Sequence, residues 1–166
     1  MDLFKPDLAR TFLPACSVVP AADLDMFLTC KSSIHTIAWF WPFVLVLPDG
    51  TIGGYHTLSA TSLKLTEFPA DITRKLPRYP LIPATLLGRL AVDQNYQGRG
   101  YGRFLLADAL LRAVRSEIAS FAAVVDAKDE AAAAFYRHVG FRPFASRPMS
   151  LFLPIATALA AFGGAA

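Results

Sequence analysis

The sequence predicts a single α/β domain, and three observations carry that expectation. Short apolar runs of strand length alternate with segments of helical period along most of the chain. One junction, residues 86–102, passes from an apolar run through a polar turn into three glycines within five residues, and then into a helical pattern. The 166 residues are 54% hydrophobic and 17% charged, enough to bury one core and too apolar for a disordered chain. No internal repeat or second core is visible.

Residues 23–30 (DLDMFLTC) place Leu24, Phe27 and Leu28 on one face of a short amphipathic helix. The most apolar run, 37–47, carries Pro42 and is about half a bilayer span, so it reads as buried strand. Residues 43–47 and 52–60 flank the turn Pro48-Asp49-Gly50, which predicts a β-hairpin. Residues 65–83 hold Pro69, Pro77, Pro80 and Pro83, which predicts a helical turn after Pro69 and then an extended connector. A strand follows at 86–92.

Over 102–115, Leu105, Leu106, Ala109, Leu110, Ala113 and Val114 recur at helical spacing, with Arg103, Asp108, Arg112 and Arg115 assigned outward. Residues 121–125 predict a buried strand, and 126–138 a helix with an acidic start, ended by Gly140. Residues 141–145 and 149–155 read as two final strands around Ser146-Arg147-Pro148. The domain is therefore placed at 1–155, and the alanine-rich 156–166 is expected to fray or pack loosely.

The net charge of +3 and pI near 9.0 permit a nucleic-acid partner without demanding one. Cys16 and Cys30 fit neither a metal spacing nor a disulfide framework, so reduced thiols in a cytoplasmic protein are expected, with no metal. No secretory signal or membrane span is expected, since the opening MDLFKPDLAR is charged and broken by Pro6.

The glycine-rich junction carries the chemistry. A glycine-rich loop at a helix start presents unpaired N–H groups and the positive dipole end to an anion. Arg99 and Arg103 add charge there, so a pyrophosphate-bearing ligand is expected.

Gln97-Gly98-Arg99-Gly100-Tyr101-Gly102 fits the Q/R-x-x-G-x-G/A signature of GNAT N-acetyltransferases. The preceding LGRLAVD and the later DAKDEAAAAFYRHVGFRP fit that superfamily's next landmarks. Within it the chain resembles the TacT-type acetyltransferase toxins of bacterial toxin–antitoxin systems, through GYHTLSA (54–60), LPRYP (76–80), residues 87–102 and 125–143, and LFLP (151–154). The resemblance covers residues 20–155. It implies a mixed central sheet, splayed at the acetyl-CoA site, with helices on both faces. It implies acetyl-CoA as donor and, as acceptor, the α-amino group of an aminoacyl-tRNA, whose acetylation stops translation. A small ribbon-helix-helix antitoxin and a homodimer are the implied partners. The alternatives are a GNAT enzyme acting on a small amine or protein amine, and a non-catalytic acyl-CoA-binding regulator.

The resemblance also implies roles. Free backbone groups of Leu90, Ala91 and Val92 pair with the pantetheine arm and stabilise an oxyanion. The amides of Gln97, Gly98, Arg99, Gly100, Tyr101 and Gly102, with Arg103 beside them, hold the diphosphate. Tyr136 stands at the catalytic tyrosine position and protonates the departing thiolate. Phe135 is core or a wall of the thioester channel. Asp129, where relatives have asparagine, faces the cofactor or only starts a helix. No dedicated base is evident; His56 and His138 read as packing or surface residues before catalytic ones.

Lys64, Arg74, Lys75, Arg78, Arg89, Arg99, Arg137, Arg142 and Arg147 are the cations available to tRNA, with Arg78 and Arg89 favoured because they lie in matching blocks. The chain departs from the family at 31–47, where Trp39, Phe40 and Trp41 replace a basic segment. That stretch reads as core, or as a dimer or antitoxin contact.

Overall fold

The computed structural model describes residues 17–20, 41–74 and 76–163. The expected helix at 23–30, both cysteines, Trp39, Phe40 and Lys75 lie outside them. The elements in chain order are strands β1 (Ser17–Pro20), β2 (Trp41–Val46) and β3 (Ile52–Lys64), a 3₁₀ turn at Leu65–Glu67, helix α1 (Ala70–Thr73), strand β4 (Leu81–Val92) and a second 3₁₀ turn at Gln94–Tyr96. Then come α2 (Tyr101–Arg115), β5 (Ala122–Asp126), α3 (Glu130–Val139), β6 (Arg142–Pro143), β7 (Ser150–Pro154) and α4 (Ile155–Gly163). The strands run in the order β1-β2-β3-β4-β5-β7-β6. The sheet is mixed: β4 pairs β5 in parallel, whereas β1/β2, β2/β3, β5/β7 and β6/β7 are antiparallel.

Two compact units divide the described residues, one drawn from the stretches within 60–87 and 110–163, the other from 17–20, 41–59 and 88–109. The first is built on an aromatic cluster. Phe68 meets Phe121, Phe144 and Phe152 edge-on at 5.5, 5.5 and 5.1 Å, the geometry the ring quadrupole favours. Ile82, Ala84, Ala122 and Val124 complete that core from β4 and β5.

The second unit holds the predicted hairpin. Leu47 N–H donates to Thr51 O at 2.8 Å, Asp49 accepts from Thr51 N–H, and Gly50 takes φ +82°. Its core is Leu45, Leu47 and Leu105, with Leu90, Val92 and Tyr101 packed against it. Gly54 sits where β3, β4 and α2 approach most closely: a Cβ there would lie 2.5 Å from the Ala91 carbonyl oxygen and 2.9 Å from Leu105 Cδ1.

Several expected boundaries move. β4 begins at Leu81, so Pro83, read as connector, is strand; its carbonyl accepts from Phe121 N–H at 2.8 Å. Asp126, read as the start of a helix, closes β5 opposite Ser150, and α3 begins four residues later. Residues read as a loose tail form α4 as far as Gly163, with Ala158 buried. Alanine is the best helix former, which is the reason that run takes up a helix.

Gly54→Ala is expected to cost about 1–3 kcal/mol by overpacking against backbone. Gly53→Ala should cost less, because its Cβ would meet only the movable Leu47 side chain at 3.1 Å. Urea unfolding of the two variants checks the order.

Candidate active site

β4 and β5 pair from Ala84↔Ala122 to Leu87↔Val125, and there the pairing ends although β4 continues to Val92. This is the interrupted pair that the resemblance implies. Gly88–Val92 thus carries main-chain donors and acceptors with no register to β5. Leu90 and Val92 turn their side chains to the core, while Gly88, Arg89 and Ala91 are exposed.

Beyond β4 the chain turns tightly. Asp93 accepts from Asn95 N–H at 2.8 Å, and the Gln97 side-chain amide donates back to Val92 O at 3.3 Å. Gly98 and Gly100 take φ +75° and +87°, and a Cβ at Gly98 would meet nothing within 4 Å. Left-handed residues in such a turn aim successive amides into a shared concavity, a nest for an anion. The first helical bond of α2 runs from Phe104 N–H to Gly100 O at 3.1 Å, so the preceding amides lie outside the helical ladder. No acidic residue stands in that first turn, and Arg99 and Arg103 are exposed. The Arg99 guanidinium rests 5.4 Å over the Tyr96 ring, which holds it beside the loop. A diphosphate fits this loop, and an extended amide-bearing arm fits the unpaired length of β4.

The second set of residues lies on α3. Asp129 caps its start, accepting from Ala132 N–H at 2.7 Å, so at least one carboxylate oxygen is a helix cap. Gly140, at φ +110°, ends it as expected. Gly140 N–H donates to Arg137 O, and Phe141 N–H reaches back to Tyr136 O at 3.1 Å. The Phe141 ring meets that of Tyr136 at 5.6 Å, and Phe135 meets it at 5.2 Å. Tyr136 is therefore held on both sides and only 8% exposed. Burial pushes its phenol up to about 12, so it keeps its proton throughout the physiological range.

His56 is fully buried, stacked on Phe43 at 5.0 Å, with Nε2 2.7 Å from Asp108 Oδ2. Asp108, expected to face outward, is this pair's carboxylate and only 19% exposed. The signal was present: Asp108 lies three residues after buried Leu105, on the same face of α2. His138 is exposed at the end of α3, the position the helix dipole favours for it.

Apart from Arg99, which lies over Tyr96, the described candidate cations separate into two groups. Arg137 pairs with Glu130 at 2.7 Å, Arg142 grips Asp71 at 2.9 and 3.4 Å, and Arg147 pairs with Glu67 at 3.0 Å. Lys64, Arg74, Arg78 and Arg89 are exposed and make no ion pair among the described residues. The two favoured arginines, Arg78 and Arg89, are both in the uncommitted group. No set of three or more His, Cys, Asp or Glu among the described residues could hold a metal ion.

A glycine nest at a helix start, reached along an unpaired length of strand, is the geometry expected of a coenzyme A-dependent acyltransferase. Residues 50–143 match the acetyltransferase (GNAT) domain, and the chain belongs to that family. It is 37% identical over 117 residues to a tRNA-acetylating toxin of Mycobacterium tuberculosis, covering 69% of each chain. It is 32% identical over 125 residues to the probable toxin TacT of Sinorhizobium fredii, again 69% of each. Among solved structures it is similar to AtaT complexed with acetyl-methionyl-tRNAfMet, with TM-score 0.75 and 26% identity over 89% of this chain and 99% of that one. AtaTR bound with AcCoA shares the fold, with TM-score 0.70 and 23% identity over 90% of this chain and 99% of that one.

Two outcomes follow from the buried groups. Ionising Tyr136 is easier in the unfolded chain, at an ordinary pKa near 10, than in the fold. Wild-type stability should therefore hold below pH 10 and fall from pH 10 toward 12, whereas Tyr136→Phe lacks that component; melting temperatures across this range check it. Asp108→Ala strands the buried His56 Nε2 and should cost about 1–3 kcal/mol, and His56→Phe should relieve part of that cost in the double variant.

Proposed function

We propose that this chain acetylates the α-amino group of aminoacyl-tRNA and so acts as a translation-blocking toxin. Two kinds of support meet here: the glycine nest beside the unpaired end of β4, and 37% identity to a tRNA-acetylating toxin. Acetyl-CoA supplies the acetyl group as a thioester. The amides of Gln97–Gly102 and the charges of Arg99 and Arg103 bind its diphosphate. Main chain at Leu90, Ala91 and Val92 holds the pantetheine amides, and a free N–H there donates to the oxyanion that forms under attack. Phe135 lines the thioester channel, and Asp129 meets the arm with whichever oxygen its cap leaves over.

Tyr136 supplies the proton. A phenol near 12 does not surrender it to a solvated thiolate, whose ordinary pKa is about 8.5. Burial has already raised Tyr136, and the same apolar channel raises the departing thiol toward it, so Tyr136 Oη donates a hydrogen bond to the sulfur and passes its proton as the C–S bond breaks. The acceptor amine, near pKa 8 or below once esterified, loses one proton to water before it attacks and needs no dedicated base; the second leaves the nitrogen as the amide forms and returns through water to the Tyr136 oxygen.

Arg78 and Arg89 face tRNA phosphates, since their charge is not already neutralised within the described residues. Trp41, 63% exposed, belongs to a contact with a second copy or with a ribbon-helix-helix antitoxin. The protein works in the cytoplasm, where charged tRNA is; no helix among the described residues is long and apolar enough to cross a membrane.

Incubation with acetyl-CoA and total charged tRNA, followed by mass analysis of the aminoacyl ends, tests the reading. Acetylated aminoacyl ends are expected, and only unmodified ends would overturn it. Tyr136→Phe should lower kcat by roughly 10²–10⁴ with little change in KM for acetyl-CoA. Gly102→Asp places its Cβ in ordinary contact, 3.9 Å from Val92 Cγ2, and should keep the fold. Its carboxylate repels the diphosphate, so calorimetry should read acetyl-CoA affinity at least about tenfold weaker.

A further inference from the structure

Within the first unit, a cleft of about 340 Å³ opens over β3, β4 and β5. That volume is at the small end for a ligand site, suited to an amino-acid-sized group. Leu86 and Val124 form part of its apolar lining. Its four charged residues are Lys64, Glu67, Asp126 and Arg147, and two of them cancel, because Arg147 and Glu67 are paired at 3.0 Å. Arg147 is further held 5.2 Å over the Phe144 ring. Two charges remain to act on a ligand, one of each sign.

Their placement is ordered by the sheet. Leu65, just after Lys64, donates its N–H to Pro80 O at 3.2 Å, so Lys64 lies by the start of β4. Asp126 follows Val125, which pairs with Leu87, so it lies beside the point where the β4–β5 pairing ends. The carboxylate is aimed by its surroundings. Asp126 pairs with Ser150 in the β5–β7 ladder, and the buried Ser150 hydroxyl donates to Oδ1 at 2.5 Å. One oxygen is thus anchored, while the residue stays exposed to the cleft. No other described carboxylate lines the cleft without a cation beside it.

We propose that this cleft is the acceptor site and that Asp126 receives the acceptor's α-ammonium group, with Lys64 at the far end facing phosphate. This rests on the function proposed above and adds its recognition chemistry: an aminoacylated nucleotide carries one cation next to a small side chain and anions farther away. Leu86 and Val124 take the apolar part of that side chain. Asp126 is a positioning residue, because it holds the charged form and the proton still leaves to water. Acetylation forms the N–C bond as the thioester C–S bond breaks and coenzyme A leaves as its thiol, and the resulting amide nitrogen carries no charge. The product therefore loses its attraction to Asp126 and leaves, while unreacted acceptor is retained.

The test uses two probes on the full chain: a 3′-aminoacylamino-adenosine 5′-phosphate, which resists hydrolysis, and the same compound N-acetylated. Calorimetry should show wild type binding the free amine roughly tenfold tighter than the acetylated form. Asp126→Asn, which keeps an acceptor for Ser150, should abolish that preference and leave acetyl-CoA affinity unchanged. Lys64→Gln should weaken both probes alike. A preference that survives in Asp126→Asn, or is absent from wild type, overturns the assignment even where charged tRNA is acetylated. If the preference behaves as expected but charged tRNA is not modified, the cleft stands as an amine site and the tRNA reading falls.

Discussion

The end of the β4–β5 ladder at Leu87↔Val125 is the constraint on which the proposed donor site depends. A strand that continues past its partner keeps N–H and C=O groups that must bond to something, since burying them unpaired costs several kcal/mol in an apolar setting. Arg89 N–H is answered from β3 by Thr57 Oγ1 at 3.0 Å, and the groups turned away from β3 are left to solvent or to a ligand with amides of its own. The same length of β4 turns Leu90 and Val92 inward, so alternation along one strand supplies both a packed side and an open edge. The glycines that follow extend the same supply of unpaired donors into the loop.

Tight packing fixes particular residues within each unit. Gly54 allows the Ala91 backbone and Leu105 to approach where any Cβ would intrude. His56 and Asp108 join β3 to α2 through a charge-assisted bond inside the same unit. Tyr136 is fixed by a different device, a helix end whose carbonyl and ring are both held by Phe141. A side chain so confined loses little further freedom in a reaction, which is what the proposed role of Tyr136 as proton donor requires.

Charge is distributed with similar economy. Three of the arginines that seemed available to RNA are engaged with Glu130, Asp71 and Glu67, and two of those three also rest over aromatic rings. Exposed pairs of this sort add little stability. Their larger effect is to withdraw cations from any polyanion, which leaves Lys64, Arg74, Arg78, Arg89 and Arg99 as the candidate cations without an ion pair among the described residues.

Much of this was legible from residue order. The hairpin at Pro48-Asp49-Gly50, the buried stripe of α2, the stop at Gly140 and the glycine nest each depend on chemistry local in sequence, where period, turn residues and φ preference suffice. Tertiary structure decided the rest. Helical spacing from Leu105 puts Asp108 on the inner face of α2, but its partner His56 comes from β3, 52 residues away. Asp126 is strand rather than helix because Ser150 arrives opposite it, and Arg142 is spent on Asp71 from 71 residues away. Such partners carry no mark in the local pattern, because a charge reads alike in a sequence whether solvent or a distant carboxylate answers it.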